Sequence, residues 1–161
     1  MSTTVTPDNF IRAESDLYFG NVVKAGGLGT LQHFRDLGPI DSQLVVRQNR
    51  DTLYSPGVFD LDAGDVTVTL PDAGTRFMSL QVINEDHYVP EVSYTSGPHT
   101  YTRAQIGTRY AMLAIRTLVD PNDKADLSEV HALQDAITTE QSGHGAFEVP
   151  DWDPVSQKHV R

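Results

Sequence analysis

The densest group of polar side chains is the stretch RQNRDTLYS, Arg47 to Ser55, which directly follows the apolar Leu44-Val45-Val46. Arg50 carries a planar guanidinium that suits a carboxylate or a phosphate, and Asp51 can pair with it or act as a base. Tyr54 can donate a hydrogen bond, and in a strand it shares one face with Arg50. The stretch is therefore a candidate catalytic site. A structural Arg–Asp pair that fixes a turn is the alternative, because such pairs imitate active sites.

A second polar group, Glu85-Asp86-His87-Tyr88, follows the strand predicted over 77–84. Glu85 and His87 are two residues apart, so in a strand they point the same way and could hold a divalent metal or form a general-base pair. Further metal ligands would come from His33, Asp51 or His99. A solvated loop without chemistry is the alternative. Because no H-E-x-x-H or H-x-H spacing is present, we assign neither a metal site nor a cofactor.

Arg116 falls within an apolar strand predicted from Tyr110 to Val119. An arginine on an apolar face needs a partner, because an unpaired buried charge is very costly. That partner would be one of three carboxylates, Asp51, Glu85 or Asp86. A place at the rim of the sheet, where water solvates the guanidinium, is the alternative.

Our first hypothesis joins four of these residues into one catalytic site at an end of the sheet: Arg50, Asp51, Tyr54 and His87. Arg50 would hold an anionic or carbonyl group, and Asp51 or His87 would act as the base. Tyr54 would donate a hydrogen bond. The hypothesis describes a small-molecule enzyme or enzyme domain and predicts a concave pocket lined by these side chains.

Composition narrows the choice of partners. The chain has 161 residues, with 12 Lys and Arg against 22 Asp and Glu, which gives a formal net charge of -10. This balance argues against nucleic acid and membrane surfaces, because no basic excess neutralises phosphates. The chain has no cysteine, which excludes disulfides, thiolate metal sites and cysteine nucleophiles. Because neither a signal peptide nor an apolar run of roughly 20 residues is visible, we expect a cytoplasmic protein.

The first element that must position these residues is a helix. Thr6-Pro7-Asp8 predicts its start, with a hydroxyl cap and a proline in the first turn, and Gly26-Gly27 predicts its end. Apolar residues recur at helical spacing between these limits. They are Ile11, Tyr18, Val22 and Ala25.

Beyond residue 43 the apolar residues alternate with polar ones, which is typical of strands. Strands are predicted at 66–70, 77–84, 88–94, 100–103 and 110–119. A second helix is predicted from about Asp126 to Gly143, with Val130, Leu133 and Ile137 on its apolar side. The fold class is α+β, mainly antiparallel β, as a sandwich or jelly-roll-like sheet with an N-terminal helix and a C-terminal helix.

The end of the chain differs from the rest. We predict a single β-rich domain over residues 1–152 and a tail over 153–161. Asp153-Pro154 is a fair helix start, but a helix of about two turns is not stable alone. The tail is therefore predicted to be the start of a truncated helix or of one that packs on a partner.

Six stretches of the chain resemble the bacterial family called domain of unknown function 1254. They are RQNRDTLYS (47–55), VFDLD (58–62), LPDAGTRF (70–77), VINEDHY (82–88), IGTRY (106–110) and RTLVDPND (116–123). The resemblance runs from about Phe10 to Trp152. It implies a β-rich fold and, in many members, an export signal and a second β-rich domain. Since this chain lacks the signal and ends where the second domain would begin, the resemblance implies the N-terminal domain of a two-domain protein.

Two further functions stay open. The chain could be a non-catalytic binding or assembly module that oligomerises, or docks a second domain, through its tail and a sheet face. Such a module would carry an exposed apolar patch near Phe147, Val149 and Trp152. The third is a metal-assisted hydrolase that uses Glu85 and His87. The expected partners are a small-molecule ligand and either further copies of the chain or a missing second domain.

Overall fold

A computed structural model of the chain describes residues 2–39, 41 and 49–161 and, over this part, contains four helices and seven strands. The helices are α1 (Phe10–Lys24), α2 (Arg103–Ile106), α3 (Lys124–Asp135) and α4 (Pro154–Val160). The strands are β1 (Thr52–Asp60), β2 (Val66–Leu70), β3 (Met78–Asn84), β4 (Glu91–Ser93), β5 (Gly97–Tyr101), β6 (Tyr110–Leu118) and β7 (Thr138–Gln141). None of these helices is both long and apolar enough to cross a membrane.

The strands form two sheets in which neighbouring strands are antiparallel. One sheet has the order β1-β6-β3-β4 and the other has the order β5-β2-β7. Alternate side chains of both sheets meet in one buried apolar cluster, in which Val66 and Val68 of β2 join Leu113 and Ile115 of β6. Burial of this shared cluster stabilises the pair of sheets. The predicted α+β class with a mainly antiparallel sheet is confirmed, and the sandwich or jelly-roll arrangement stays a prediction.

The other face of the four-stranded sheet, which we call the outer face, carries the remaining alternate residues. Val58, Met112 and Ile83 lie side by side on β1, β6 and β3. They pack with Phe19 of α1 in a second apolar cluster. Helix α1 therefore covers the end of the outer face at which β1 and β3 finish.

Helix α1 buries a different side from the one that its apolar spacing predicts. Ile11 and Tyr18 are 55% and 41% exposed, whereas the polar Glu14, Ser15 and Asp16 are buried. The polar side of α1 is buried because it packs against the C-terminal segment of the chain, which is itself polar. That segment supplies hydrogen-bond donors to Glu14 and Asp16.

Two other elements depart from the sequence-based expectation. Thr102 and Gln105 form a reciprocal capping box that starts α2, so residues 103–106 are helical where a strand was expected to end. Helix α3 begins after Asp123, whose side chain accepts the Ala125 N–H at 2.8 Å. It ends at Asp135 instead of near Gly143, and β7 follows on the edge of the smaller sheet.

The tail forms the helix whose start Asp153-Pro154 suggests. Asp153 accepts the Ser156 N–H at 3.0 Å. From α4, Gln157 donates to the Ala13 carbonyl at 3.0 Å and to Glu14 Oε1 at 2.8 Å. Helix α4 thus packs on α1 of the same chain, and the division at residue 152 stays a prediction.

The side chain of Asp60 ties together three segments at one end of the molecule. Asp60 is 2% exposed and accepts two hydrogen bonds from Arg109, at 3.0 and 2.9 Å. It also accepts the Ala146 N–H at 3.2 Å and the Asp62 N–H at 3.1 Å. Burial alone would raise the pKa of Asp60, but these hydrogen bonds outweigh it and hold the pKa below its usual value.

Replacing this carboxylate tests how much the tie contributes. We expect Asp60→Ala to lower the free energy of unfolding by about 3 kcal/mol, because Arg109 loses its buried partner. Urea unfolding at pH 7 measures the change. The control is Asp62→Ala, since Asp62 is an exposed neighbour that also contacts Arg109 and whose loss costs at most about 1 kcal/mol.

The same tie predicts a pH dependence. Because the folded-state pKa of Asp60 is lowered, its ionisation adds to the free energy of unfolding above about pH 4. This contribution is lost as the pH falls through the folded-state pKa. Equal stabilities of Asp60→Ala and Asp62→Ala at pH 7 would contradict this account.

Candidate functional site

Arg50 and Asp51 lie immediately before β1. The guanidinium of Arg50 donates to the Gly38 carbonyl. Asp51 is exposed, its N–H donates to Asn49 Oδ1 at 2.8 Å, and its carbonyl accepts the Val119 N–H at 2.9 Å. Both residues therefore belong to the structure that leads into the first strand.

His87 lies at the opposite end of the four-stranded sheet. Both β1 and β3 pair antiparallel with β6, so they run in the same direction. Thr52 at the start of β1 faces Leu118, whereas Asn84 at the end of β3 faces Ala111. These rungs are about 20 Å apart along the strand. The structure does not bring the four predicted catalytic residues together, and their chemical roles stay predictions.

Tyr54 and Arg116 are neighbours on the outer face. They lie opposite each other on β1 and β6, and the Arg116 guanidinium carbon is 5.6 Å from the centre of the Tyr54 ring. Two of the carboxylates considered as partners of Arg116, Glu85 and Asp86, form ion pairs with Arg12 instead. An aromatic face therefore contacts Arg116 where a carboxylate was expected.

Glu85 and His87 face different surroundings. Glu85 is buried, with one oxygen accepting the Tyr110 N–H at 2.9 Å and the other accepting Arg12 Nη1 at 3.3 Å. His87 Nδ1 lies 3.4 Å from Ser15 Oγ. In the part of the chain that the structure describes, no three His, Asp or Glu side chains group closely enough to hold a metal ion.

A cavity of about 810 Å³, which we call the apolar cavity, lies between α1, the outer face and the segment that follows α1. Seven apolar side chains line it: Tyr18, Phe19, Val22, Ala25, Phe34, Ile83 and Met112. Four polar ones join them: Ser15, Asn21, Gln32 and His87. A mostly apolar cavity with a few polar groups is the usual form of a small-molecule site.

The segment after α1 forms one wall of the apolar cavity because it runs along the edge of β1. Gln32 N–H donates to the Pro56 carbonyl at 2.7 Å, and Phe34 N–H donates to the Tyr54 carbonyl at 2.9 Å. The close approach requires Gly57, since a Cβ there would meet the Thr30 carbonyl oxygen at 2.5 Å.

His87 reaches the apolar cavity from a strained backbone. Its φ of +64° is in the left-handed region, which a non-glycine residue adopts at a cost. The side chain of Asn84 holds the loop in this shape by accepting the N–H groups of Asp86 and Tyr88, both at 3.0 Å. The loop conformation thus places the exposed side chain of His87 in the lining of the apolar cavity.

A second depression of about 330 Å³, which we call the polar cleft, lies on the adjacent side of α1. It is lined by Arg12, Asp16, Glu85, Arg103, Gly107, Thr108, Arg109, Tyr110, Glu148, Val149, Pro150 and Trp152. Trp152 Nε1 donates to Asp16 Oδ2 at 2.8 Å. The other oxygen of Asp16 and Arg12 Nε are both buried and have no partner within the described chain.

The three residues expected to form an exposed apolar patch are half-buried here. Phe147 packs on Tyr110 with ring centres 4.9 Å apart. Val149 joins the cluster around Phe19, and Trp152 bonds Asp16. These residues contact the chain itself and do not form an exposed patch.

Residues 28–105 match the family described as "Protein of unknown function (DUF1254)", which confirms the resemblance over this stretch. The crystal structure of the VPA0106 protein from Vibrio parahaemolyticus is similar, with 17% identity and a TM-score of 0.61 over 83% of this chain. This likeness shows the fold, and the chain spans 35% of that protein's length. No curated protein matches the sequence.

The carboxyl group of Asp16 in the polar cleft is expected to titrate, and the fluorescence of Trp152, the only tryptophan in the chain, reports this titration. Burial and, to a smaller extent, the charge on Glu85 raise the pKa of Asp16 to about 6, although the hydrogen bond from Trp152 and the charge on Arg12 oppose the rise. The folded state therefore holds the Asp16 proton more tightly, so stability falls as the pH rises from about 4 to the folded value. We expect the fluorescence of Trp152 to change with a midpoint near the pKa of Asp16.

The variant Asp16→Asn is the control for this titration, since it keeps a hydrogen-bond acceptor for Trp152 and removes the ionisation. We expect its fluorescence to stay flat between pH 5 and 7 on the scale of the wild-type change. A transition that persists in Asp16→Asn would assign the signal to another group.

Proposed function

We propose that this chain is a small-molecule-binding domain whose ligand is largely apolar and carries one polar group. The apolar cavity, at about 810 Å³, is the observation that carries the proposal. Its volume falls in the range of sites that enclose drug-sized ligands. Its seven apolar side chains favour a ligand that gains free energy by leaving water.

The polar group of the ligand is proposed to lie near His87 and Ser15. An imidazole can donate or accept a hydrogen bond, as can a hydroxyl. This pair can therefore form hydrogen bonds with a carbonyl, a hydroxyl or a carboxyl group. The strain at His87 supports a functional role, because a glycine would adopt the same backbone at less cost. If the ligand is turned over, His87 is the group placed to act as a base.

Filling the cavity tests the proposal. Ile83→Trp places a larger side chain in the apolar cavity, and the matched control Val92→Trp changes an exposed valine of the same sheet outside it. The probe is N-phenyl-1-naphthylamine, a neutral dye that fluoresces in apolar surroundings. We expect Ile83→Trp to weaken dye binding about tenfold and Val92→Trp to leave it unchanged.

The folded state of each variant is checked by circular dichroism and urea unfolding. If Ile83→Trp does not fold, Met112→Phe replaces it, because Met112 lines the same cavity on the neighbouring strand. If Ile83→Trp or Met112→Phe folds and binds the dye as the unmodified chain does, the apolar cavity is not the binding site.

Exposed apolar side chains elsewhere on the outer face favour a second candidate, a docking module. Phe77, Val92, Tyr94 and Leu118 are all exposed. The rings of Phe77 and Tyr94 are 5.9 Å apart, and the Leu118 N–H donates to the Phe77 carbonyl at 2.9 Å. Exposed apolar side chains that lie together mark interaction surfaces.

We propose that the occupant of this surface is a second domain of the same polypeptide. The similar solved protein is much longer than the part that this chain matches, and the family resemblance implies two domains. The net charge of -10 opposes association of two copies of the chain.

Thiol labelling tests this second candidate cleanly, because the chain has no cysteine. Val92→Cys reports on the surface, and Val155→Cys, another exposed valine, is the matched control on α4. We expect labelling of Val92→Cys to slow strongly in a polypeptide that joins this chain to such a second domain. Unchanged labelling contradicts the docking role, and slowing that depends on concentration in the 161-residue chain assigns the surface to a second copy.

A further inference from the structure

We propose that the polar cleft is a second binding site, which takes a neutral, hydroxyl-rich molecule such as a sugar or another polyol. The contacts would be made by Arg12 and Asp16, which line this cleft and each have one buried side-chain atom without a partner among the described residues. Asp16 is 3% exposed. This site is separate from the apolar cavity and does not depend on the function proposed for it.

The two unpartnered atoms have complementary chemistry. Arg12 Nε can only donate a hydrogen bond, and the Asp16 carboxylate oxygen can only accept one. Leaving such groups buried without partners is costly. Because Arg12 and Asp16 are four residues apart on α1, they are neighbours on one side of the helix. A hydroxyl group both accepts and donates, so a molecule with one or two hydroxyls satisfies both atoms.

Other contacts hold these two side chains in place. The terminal nitrogens of Arg12 bond Glu85 and Asp86, and the second oxygen of Asp16 accepts Trp152 Nε1 at 2.8 Å. Of these two side chains, Arg12 Nε and Asp16 Oδ1 are the atoms that have no partner among the described residues. Both atoms are buried, so a ligand reaches them only when a side chain that covers them moves aside.

The charge of the cleft favours a neutral ligand. Its three arginines are matched by three carboxylates among the lining residues. Arg109 is paired with Asp60 and Glu148, and Arg103 is paired with Asp62. An anion would be repelled by Asp16, and an ammonium group cannot accept from Arg12 Nε. The Trp152 ring lines the same cleft and offers an apolar surface to the C–H face of a sugar.

Fluorescence of Trp152, the only tryptophan, reports binding at this site directly. The probes are glucose, glycerol, sodium acetate and methylammonium chloride, each titrated to high millimolar concentration at constant ionic strength. We expect a saturable change with at least one of the two polyols and none with acetate or methylammonium. Saturation-transfer NMR on the polyol protons gives an independent measurement that needs no variant.

The decisive variant is Arg12→Lys, which keeps a cation for Glu85 and Asp86 but lacks Nε. Its matched control is Arg161→Lys, since Arg161 forms an ion pair with Glu14 and does not line the cleft. We expect Arg12→Lys to weaken polyol binding about tenfold, as for the loss of one hydrogen bond to a charged group. Arg161→Lys should bind as the unmodified chain does.

Two results would overturn the proposal. The first is the absence of a saturable signal with either polyol in both measurements, which would leave water as the occupant of the cleft. The second is equal binding by Arg12→Lys and Arg161→Lys. Ile83→Trp, which fills the apolar cavity, should leave polyol binding unchanged, so failure at one site is distinguishable from failure at the other.

Discussion

One buried carboxylate, that of Glu85, fixes where α1 lies on the four-stranded sheet. It accepts a hydrogen bond from the first residue of β6 and another from Arg12 on the helix. A buried carboxylate without such partners is very costly. The helix that packs beside the end of β3 must therefore supply a hydrogen-bond donor to Glu85. The apolar cavity and the polar cleft lie on adjacent sides of the helix held there, and both depend on this contact.

Strands β2, β3 and β6 could be predicted well because their signal is local, whereas no strand was predicted over the range of β1. Alternation marks Val66–Leu70 and Met78–Asn84, and an apolar run marks β6. Strand β7 could not be predicted, because Ile137 continues the helical spacing of α3 and the four residues that follow are polar. The side of α1 that is buried was also hidden, since it depends on a polar partner from the distant end of the chain.

Only part of the candidate site could be predicted from the sequence. His87 was identified by its chemical type, and it does line the apolar cavity. Its grouping with Arg50 and Asp51 did not form, because the strand order makes β1 and β3 run in the same direction on either side of β6. The apolar lining comes from four separate stretches of the chain, and only tertiary packing brings them together. A buried atom without a partner among the described residues, such as Asp16 Oδ1, has no signature in sequence.

The central claim is that the apolar cavity binds a ligand, and methyl NMR of the methionines tests it most directly. The chain has three methionines, of which Met112 lines the cavity and Met78 is buried between the sheets. In a sample with ¹³C-labelled methionine methyl groups, titration with 1-octanol is predicted to shift the Met112 signal saturably and leave Met78 unchanged. A Met112 signal that stays still, or one that moves only as much as Met78, would contradict the account.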